Sequence, residues 1–344
     1  MIEDRNTTRF GFLVFPGFPM SCLTSAIEPL RAANEIFGRE AFSWSIISED
    51  GARRESSASI GFDPDMALDA VADLDFLFVL SCPMGRFDDP VRSEGVLRRL
   101  ARHGLRIGGI SGGVFPLAAA GLFDQQRCSV HWCYEAAFAA RFPNVTVVDD
   151  VIVMEDRMYS ASGAAAAFDL MLHFVEEKLS REVSTEVACW FQHPVIRGQG
   201  VRQKVPTFSG EGTSDMLPEL VEKAIEQFSE NLEYPLEIAD LADTLHVSPR
   251  QLERKFKTAT GQSPSQYYRG LRMNAARQRV LYSRDTMTAI ANSVGYLRAS
   301  TLVRHYKGMF GVSPQVDRKQ VNTIRVTGNR TLPAVALMDM GARV

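Results

Sequence analysis

The chain has 344 residues and a formal net charge of −3, and 45% of its residues are hydrophobic, which predicts a soluble, globular protein of two or three domains. No apolar run approaches the roughly 20 residues needed to cross a bilayer, and residues 1–5 lack the features of a signal peptide, so we expect a cytoplasmic protein without a membrane partner. The five cysteines are scattered, with no CxxC pair and no histidine at zinc spacing, so no disulfide framework, metal or other cofactor is expected.

The first half of the chain alternates short apolar runs with amphipathic stretches. The apolar runs predict buried strands at 10–15, 44–47, 76–80 and 107–110, and the stretches between them predict helices at 23–36, 91–103 and 114–122. Such alternation favours an α/β domain of flavodoxin-like type, in which a parallel sheet carries helices on both faces. Further along, a strand pair is predicted at 145–148 and 151–154, followed by helices at 164–179 and 183–191.

The second half of the chain predicts a different architecture. The first domain is expected to span 9–193, and the Gly- and Pro-containing residues 194–216 are interpreted as a linker. An all-α domain with two helix-turn-helix units is predicted over 217–320, with an opening helix at 217–232 and a long helix at 267–282. Residues 321–344 have no apolar period and are expected to form a flexible tail.

The all-α segment contains one pattern written twice. Leu252-Glu-Arg-Lys-Phe-Lys257 is followed by Gly261-Gln-Ser-Pro264, and the same spacing recurs 50 residues later in Leu302-Val-Arg-His-Tyr-Lys307 and Gly311-Val-Ser-Pro314. The short helical signals upstream of the two copies are offset by 49 instead, so one residue has been gained in the second turn. A tandem pair of helix-turn-helix units is the natural interpretation.

Charge supports DNA binding by this segment. Residues 236–320 hold 14 Lys/Arg against 6 Asp/Glu, a balance of +8, while the rest of the chain holds 24 against 35, a balance of −11. A basic module joined to an acidic one is typical of a protein whose basic part alone binds nucleic acid.

The candidate DNA-contacting residues lie on the second helix of each unit, where apolar positions are expected to face inward. Arginine and glutamine there can pair with guanine and adenine edges, and some of these residues will contact phosphates only. The candidates are Arg250, Gln251, Arg254 and Lys255 in the first unit and Arg298, Ser300, Thr301 and Arg304 in the second.

This segment resembles the AraC/XylS family of transcriptional regulators over roughly 217–320. The resemblance is carried by Ile290-Ala291, Gly295-Tyr296, Arg304-His-Tyr-Lys307 and Phe310-Gly-Val-Ser-Pro314. It implies a bipartite DNA-binding domain that is controlled by whatever is fused to it. Tyr306 stands where the family usually has phenylalanine, and Leu297 stands where a polar residue is common.

In the first half, Gly108-Gly-Ile-Ser-Gly-Gly113 lies between a predicted strand and a predicted helix. This is the arrangement of a nucleophile elbow, a sharp turn that presents one side chain at a helix N-terminus. The presented residue is Ser111, and the nearest candidate base in the sequence is His131.

Residues 9–190 resemble the PfpI-like, class I glutamine-amidotransferase-like domains, and the whole chain resembles the GlxA subgroup of AraC-type regulators. The matching segments are Phe15-Pro-Gly-Phe18, Glu28-Pro-Leu-Arg-Ala-Ala-Asn34, Gly109-Ile-Ser-Gly-Gly113, Ala120-Gly-Leu122 and His131-Trp132. Enzymes of that superfamily carry cysteine at the position of Ser111, so the resemblance implies the fold and the pocket but not the activity. In the regulator subgroup it implies a sensor of small metabolites, often amines or amino acids.

The predicted sensor pocket combines loops that follow strands, where ligands of doubly wound sheets bind. A tryptophan face and a carboxylate could together hold a cation. Its candidate residues are Glu28, Cys82, Pro83, Met84, Ser111, His131 and Trp132.

Three functions follow from these features. The first is a ligand-controlled transcription factor, and activation is the commoner mode in the families that the chain resembles. Its expected partners are promoter DNA, a small-molecule effector, a second copy of the chain in a homodimer, and RNA polymerase. The second is a constitutive DNA-binding regulator whose N-terminal domain only dimerises. The third is a Ser111-dependent amidase or hydrolase with a DNA-binding appendage.

Overall fold

The computed structural model of the protein describes residues 7–193, 195–204 and 217–323. The chain divides into two compact units, Met1–Gln203 and Lys204–Val344, and each is described by itself. None of the helices in the described ranges is both long and apolar enough to span a bilayer.

The first compact unit is built on a seven-stranded sheet. Its spatial order is β10-β11-β7-β6-β1-β2-β5, and all neighbours are parallel except β10 and β11. The central order β2-β1-β6-β7-β11 is the flavodoxin-like one, which confirms the predicted fold class. The sheet strands are β1 (Thr8–Val14), β2 (Phe42–Ser48), β5 (Met66–Ala67), β6 (Phe76–Ser81), β7 (Arg106–Ser111), β10 (Ile152–Glu155) and β11 (Met158–Ala161).

Two pairs of short strands lie outside this sheet. The pair β3 (Arg54–Glu55) and β4 (Gly61–Phe62) is antiparallel, and the pair β8 (Arg127–Ser129) and β9 (Thr146–Val148) is parallel. The predicted pairing of 145–148 with 151–154 was therefore wrong. These strands belong to different sheets, because β8 supplies the partner of β9 and the following strand β11 supplies the antiparallel partner of β10.

Helices cover both faces of the sheet. Side chains of alternate strand residues point to opposite faces, and Phe10, Phe12, Phe76 and Phe78 share one apolar core with residues of α1, α5 and α6. On the other face α3 approaches β7 so closely that a Cβ on Gly109 would lie 2.8 Å from the Val114 amide nitrogen. The helices are α1 (Met20–Phe37), α2 (Pro90–Arg102), α3 (Val114–Ala119), α4 (Glu135–Arg141), α5 (Ala164–Lys178) and α6 (Arg181–Trp190).

The first compact unit continues past the predicted boundary at His193. Asp169 of α5 is fully buried, and its carboxylate accepts hydrogen bonds from His193 Nε2 at 2.6 Å and from Arg197 Nε at 2.7 Å. Farther on, the backbone N–H of Gln203 donates to the backbone oxygen of Asp149 at 2.8 Å. Residues 195–203 of the predicted linker are thus tied to this unit, while residue 194 and residues 205–216 lie outside the described residues.

The second compact unit is helical throughout its described part. The first helix-turn-helix comprises α8 and α9, the second comprises α11 and α12, and both pack on the long helix α10. The predicted tail begins inside α13, and residues 324–344 lie outside the described residues. The helices are α7 (Glu219–Glu230), α8 (Ile238–Thr244), α9 (Pro249–Thr260), α10 (Pro264–Tyr282), α11 (Met287–Ser293), α12 (Ala299–Phe310) and α13 (Pro314–Thr323).

The duplication seen in the sequence is also a duplication of backbone geometry. Helices α9 and α12 each end at a left-handed glycine, Gly261 with φ 72° and Gly311 with φ 73°. Each turn between paired helices contains one left-handed residue, His246 with φ 55° in the first unit and Gly295 with φ 69° in the second. Glycine adopts this conformation without the penalty that a Cβ imposes, so the first turn carries a backbone cost that the second avoids.

Candidate sensor pocket and nucleic-acid interface

Ser111 occupies the sharp turn that the sequence predicts. It is the last residue of β7, its φ is 56°, and α3 begins three residues later. A Cβ on Gly112 would lie 2.4 Å from Ser81 O, and one on Gly113 would lie 1.8 Å from Val79 O, so neither position has room for a larger residue. The two glycines let the turn fit closely against the end of β6, and Ser111 is held in a conformation that only surrounding structure can maintain.

The hydroxyl of Ser111 lies in a small cluster of buried polar side chains. Its Oγ is 2.7 Å from the phenol oxygen of Tyr134, and the thiol of Cys22 is a further polar neighbour of its side chain. All three residues are less than 9% exposed. Burial raises the pKa of the Cys22 thiol to about 12, so this sulfur stays protonated at neutral pH.

His131 joins this cluster through aromatic contacts. Its ring stacks on Tyr134 with 5.5 Å between centroids and lies 5.4 Å from the Trp132 ring. Burial lowers the pKa of His131 to about 4, and its Nδ1 accepts a hydrogen bond from the Cys133 amide at 3.2 Å. The imidazole is therefore neutral at pH 7, and Tyr134 lies between it and the serine.

The loop after β6 forms another wall of the same region. The close approach of Gly112 brings the backbone of Cys82 and Pro83 against the Ser111 turn, and the Cys82 thiol donates to Pro16 O at 3.9 Å. This contact joins the ends of β1 and β6, which is where the strand order reverses and where ligands of doubly wound sheets bind. Met84 follows in this loop and is half-buried.

Glu28 lies elsewhere on α1. Cys22 and Glu28 are six residues apart, about 9 Å along the helix axis and roughly a third of a turn around it. The Glu28 carboxylate accepts a hydrogen bond from Arg31 Nε at 2.9 Å, and among the described residues neither a hydrogen bond nor an ion pair joins it to the Ser111 cluster. A different carboxylate, Glu135, comes three residues after Trp132, and burial, with a smaller effect of Asp149, raises its pKa to about 7.

Sequence reasoning missed Cys22 and Tyr134. Cys22 could have been found, because the first turn of α1 follows the carboxyl end of β1 and so belongs to the ligand-binding edge of the sheet. Tyr134 carries no such signal, since its position depends on how 130–134 folds back across 23 residues onto Ser111.

In α9, the first candidate DNA-binding helix, the burial pattern agrees with the predicted inward and outward faces. Leu252 and Phe256 are fully buried, and the four candidate side chains, Arg250, Gln251, Arg254 and Lys255, are all exposed. Gln251 has a second role, since its Oε1 accepts from the Ser248 amide at 3.0 Å in a capping box. A bidentate contact of Gln251 with adenine would require it to leave this cap.

In α12, the second candidate DNA-binding helix, Leu302 and Tyr306 are fully buried, while Arg298, Ser300 and Arg304 are exposed and Thr301 is half-buried. The helix is positioned by Arg272 of α10. This guanidinium donates to Val294 O at 2.7 Å and to Gly295 O at 2.8 Å, and it lies 4.4 Å from the centroid of the Tyr296 ring. The turn before α12 is thereby tied to the helix that also supports α9.

Two exposed basic helices, each the second of a bihelical unit and both packed on one long helix, define a DNA-binding protein of the double helix-turn-helix class. Residues 241–320 match a helix-turn-helix domain family, and residues 12–177 match the DJ-1/PfpI family. The helical segment and the sheet domain are therefore both recognisable outside this chain.

Several relatives match nearly the whole chain, among them the following three. The HTH-type transcriptional regulator GbdR of Pseudomonas aeruginosa is 34% identical over 92% of this chain and 86% of its own length. The regulator CdhR of the same species is 31% identical over 90% and 91%, and the regulator GlxA of Rhizobium meliloti is 30% identical over 92% and 98%. The chain belongs to this GlxA-type family of transcriptional regulators, in which an AraC-type DNA-binding domain is fused to a DJ-1/PfpI-like sensor domain.

Proposed function

We propose that the protein is a transcriptional activator that binds promoter DNA as a homodimer, contacts RNA polymerase, and is switched by a small nitrogenous metabolite in the Ser111 region. The observation that carries the DNA-binding part is the pair of exposed helices α9 and α12 on the common support α10. Since each such helix is shaped to enter a major groove, one chain can address two successive turns of a duplex.

The effector site is proposed at the carboxyl ends of β6 and β7. The Cys82–Met84 loop, Ser111, His131 and Trp132 surround it, with Cys22 and Tyr134 added. An amine, a betaine or an amino acid needs an apolar or aromatic wall and an anionic group. Trp132 supplies the ring, and the candidate carboxylates are Glu28 and Glu135. The effector can control DNA binding only if it binds one arrangement of the protein better than another.

We further propose that the Ser111 region has no catalytic role. A serine nucleophile requires a positioned base, whereas here the serine hydroxyl is bonded to a phenol, and burial holds the pKa of His131 near 4 and that of Cys22 near 12. A neutral cluster of this kind lacks the base that a serine nucleophile needs, and its polar groups can serve to bind a ligand. If the purified chain hydrolysed an amide or ester and Ser111→Ala abolished that turnover, the hydrolase interpretation would replace this one.

A thermal-shift screen of amines, betaines and amino acids on the full chain tests the effector. We expect one compound to raise Tm, because a ligand that binds only the folded protein stabilises it. Trp132→Ala should remove the shift, and Trp190→Ala is the matched control because Trp190 is a 54% exposed tryptophan of the same unit. Glu28→Gln and Glu135→Gln then identify the anionic partner. If no compound shifts Tm, the constitutive interpretation is favoured.

DNA binding is tested separately by selecting duplexes from a random pool with the full chain. We expect enrichment of one sequence that remains bound at moderate salt, at which non-specific phosphate contacts weaken. Equal retention of all sequences would contradict sequence-specific regulation.

A further inference from the structure

The residue gained in the second unit can be identified from the structure. In the first unit the left-handed residue His246 is followed by Val247 and then by Ser248, the N-cap of α9. In the second unit the left-handed Gly295 is followed by two residues, Tyr296 and Leu297, before Arg298, the N-cap of α12. The additional residue therefore lies at one of these two positions, directly before the recognition helix.

Packing distinguishes the two. Tyr296 is only 8% exposed, its hydroxyl is 3.0 Å from His305 Nδ1, and Arg272 lies over its ring, so it fills the inward position that half-buried Val247 holds in the first unit. Leu297 is 99% exposed. The gained residue is thus a leucine whose side chain makes no contribution to the core.

Such exposure is unusual for a leucine in this chain. Among the large hydrophobic side chains of the described residues Leu297 is the most exposed, and the next is Val91 at 84%. The exposed side chains that follow it are polar or charged, with Arg298 at the N-cap of α12, Ser300 in its first turn and Arg304 one turn farther along. Leu297 is therefore an exposed apolar side chain directly next to the candidate DNA-contacting residues of the second helix-turn-helix unit.

The N-terminal residues of a recognition helix reach base edges in the major groove, and Leu297 lies two residues before the first residue of α12. In that groove the C5 methyl of thymine is the apolar group that a base pair presents, and apolar side chains recognise it. We propose that Leu297 is a specificity-determining residue that packs on a thymine methyl in the half-site bound by α12. This inference rests on the proposed DNA binding.

The first unit has no counterpart to this residue, because its turn is one residue shorter. The half-site read by α9 should therefore lack a methyl contact of this kind. The gained residue would give the second helix-turn-helix unit a base contact that the first lacks, and it leaves the buried faces of their helices unchanged.

The test uses duplexes enriched by the full-length chain, in which each thymine is replaced in turn by deoxyuridine, which lacks only the methyl group. We expect one position in the α12 half-site at which uracil weakens binding by about fourfold, the change that corresponds to one buried methyl group. Leu297→Ala should bind the thymine duplex about as weakly and should no longer distinguish uracil from thymine there. Val91→Ala, at an exposed aliphatic residue of the first compact unit, should bind both duplexes as the unmodified chain does.

Several results would overturn the inference while leaving the proposed regulator intact. One is that Leu297→Ala binds DNA with unchanged affinity. Another is a loss of affinity that is the same on thymine and uracil duplexes and adds to the methyl effect. A third is unchanged DNA binding with reduced transcription, which would assign Leu297 to a polymerase contact. Equal Tm values of Leu297→Ala and the unmodified chain exclude misfolding. If the pool yields no enriched duplex, the inference falls together with the proposed function.

Discussion

The two helix-turn-helix units share a sequence pattern but are stabilised differently. In the first, Phe256 of α9 packs edge-on against Tyr267 of α10, with 5.2 Å between ring centroids. Fifty residues later the same two positions are Tyr306 and Asp317, and they share a hydrogen bond of 2.6 Å instead. Asp317 also accepts from Arg277 Nε at 2.8 Å. An aromatic pair in one unit is thus replaced by a buried polar network in the other.

The comparison shows which parts of the repeat are fixed by the motif. Helix starts, glycine C-caps and the apolar stripes coincide, because they define the positions of two helices. The chemistry beneath the stripe differs, since an aromatic contact and a hydrogen-bonded ion pair can fill the same space. The turns differ as well, with a histidine at the left-handed position in one unit and a glycine in the other.

The largest expected effect is on the polar network. Asp317→Ala should lower the free energy of unfolding of the C-terminal unit by about 3–5 kcal/mol, because it leaves the Arg277 charge buried and unpaired. Urea denaturation of the full chain measures it, and Asp243→Ala, at an exposed acid of α8, is the control. A loss below about 1 kcal/mol would show that the network contributes no more than a surface pair.

The second effect concerns the turn of the second unit. Gly295→Ala should cost about 2–3 kcal/mol, because alanine is disfavoured at positive φ and its Cβ would lie 2.4 Å from Pro235 Cγ. Thermal denaturation measures it. Gly308→Ala is the control, since Gly308 lies in α12 with nothing near its Cβ, and alanine there should increase stability by about 0.5–1 kcal/mol. Equal effects of the two substitutions would contradict the assigned turn geometry.

A smaller effect separates the phenol from the carboxylate. Tyr306→Phe should cost about 1–2 kcal/mol, because Asp317 loses one hydrogen bond but keeps its ion pair with Arg277. Tyr234→Phe, at a 78% exposed tyrosine, should change the free energy of unfolding by less than about 0.5 kcal/mol. If Tyr306→Phe were as damaging as Asp317→Ala, the tyrosine and not the ion pair would hold the network together.

The smallest effect has the opposite sign. His246→Gly should stabilise the first helix-turn-helix unit by about 0.5 kcal/mol. Glycine removes the backbone strain of a φ of 55°, and its greater entropy in the unfolded state offsets part of this gain. His103→Gly is the matched control, because His103 is also exposed but has a φ of −80° and should lose stability. A destabilised His246→Gly would mean that the imidazole itself stabilises the turn.

Features encoded by nearby residues could be predicted from the sequence. The Ser111 turn follows from glycines on both sides of one serine between a strand and a helix, and the buried faces of α9 and α12 follow from apolar spacing. The left-handed Gly295 and the N-cap Ser248 are local features of the same kind, because each depends on only a few consecutive residues.

Features that depend on distant partners could not be predicted in this way. The strand 145–148 reads the same whether its partner is β8 or β10, and the structure chooses β8. Arg197 lies in a stretch with the composition of a linker, yet it is paired with the fully buried Asp169. The meeting of Cys22 and Tyr134 at Ser111 likewise depends on three segments that only the folded sheet brings together.

We propose that α9 and α12 bind one duplex together, and a footprint of the full chain on a selected duplex tests this proposal. We expect two protected major-groove segments about one helical turn apart, roughly 10 base pairs. Arg254→Ala should weaken protection of one segment and Arg304→Ala protection of the other. A single protected segment, or protection that both substitutions weaken alike, would contradict the account.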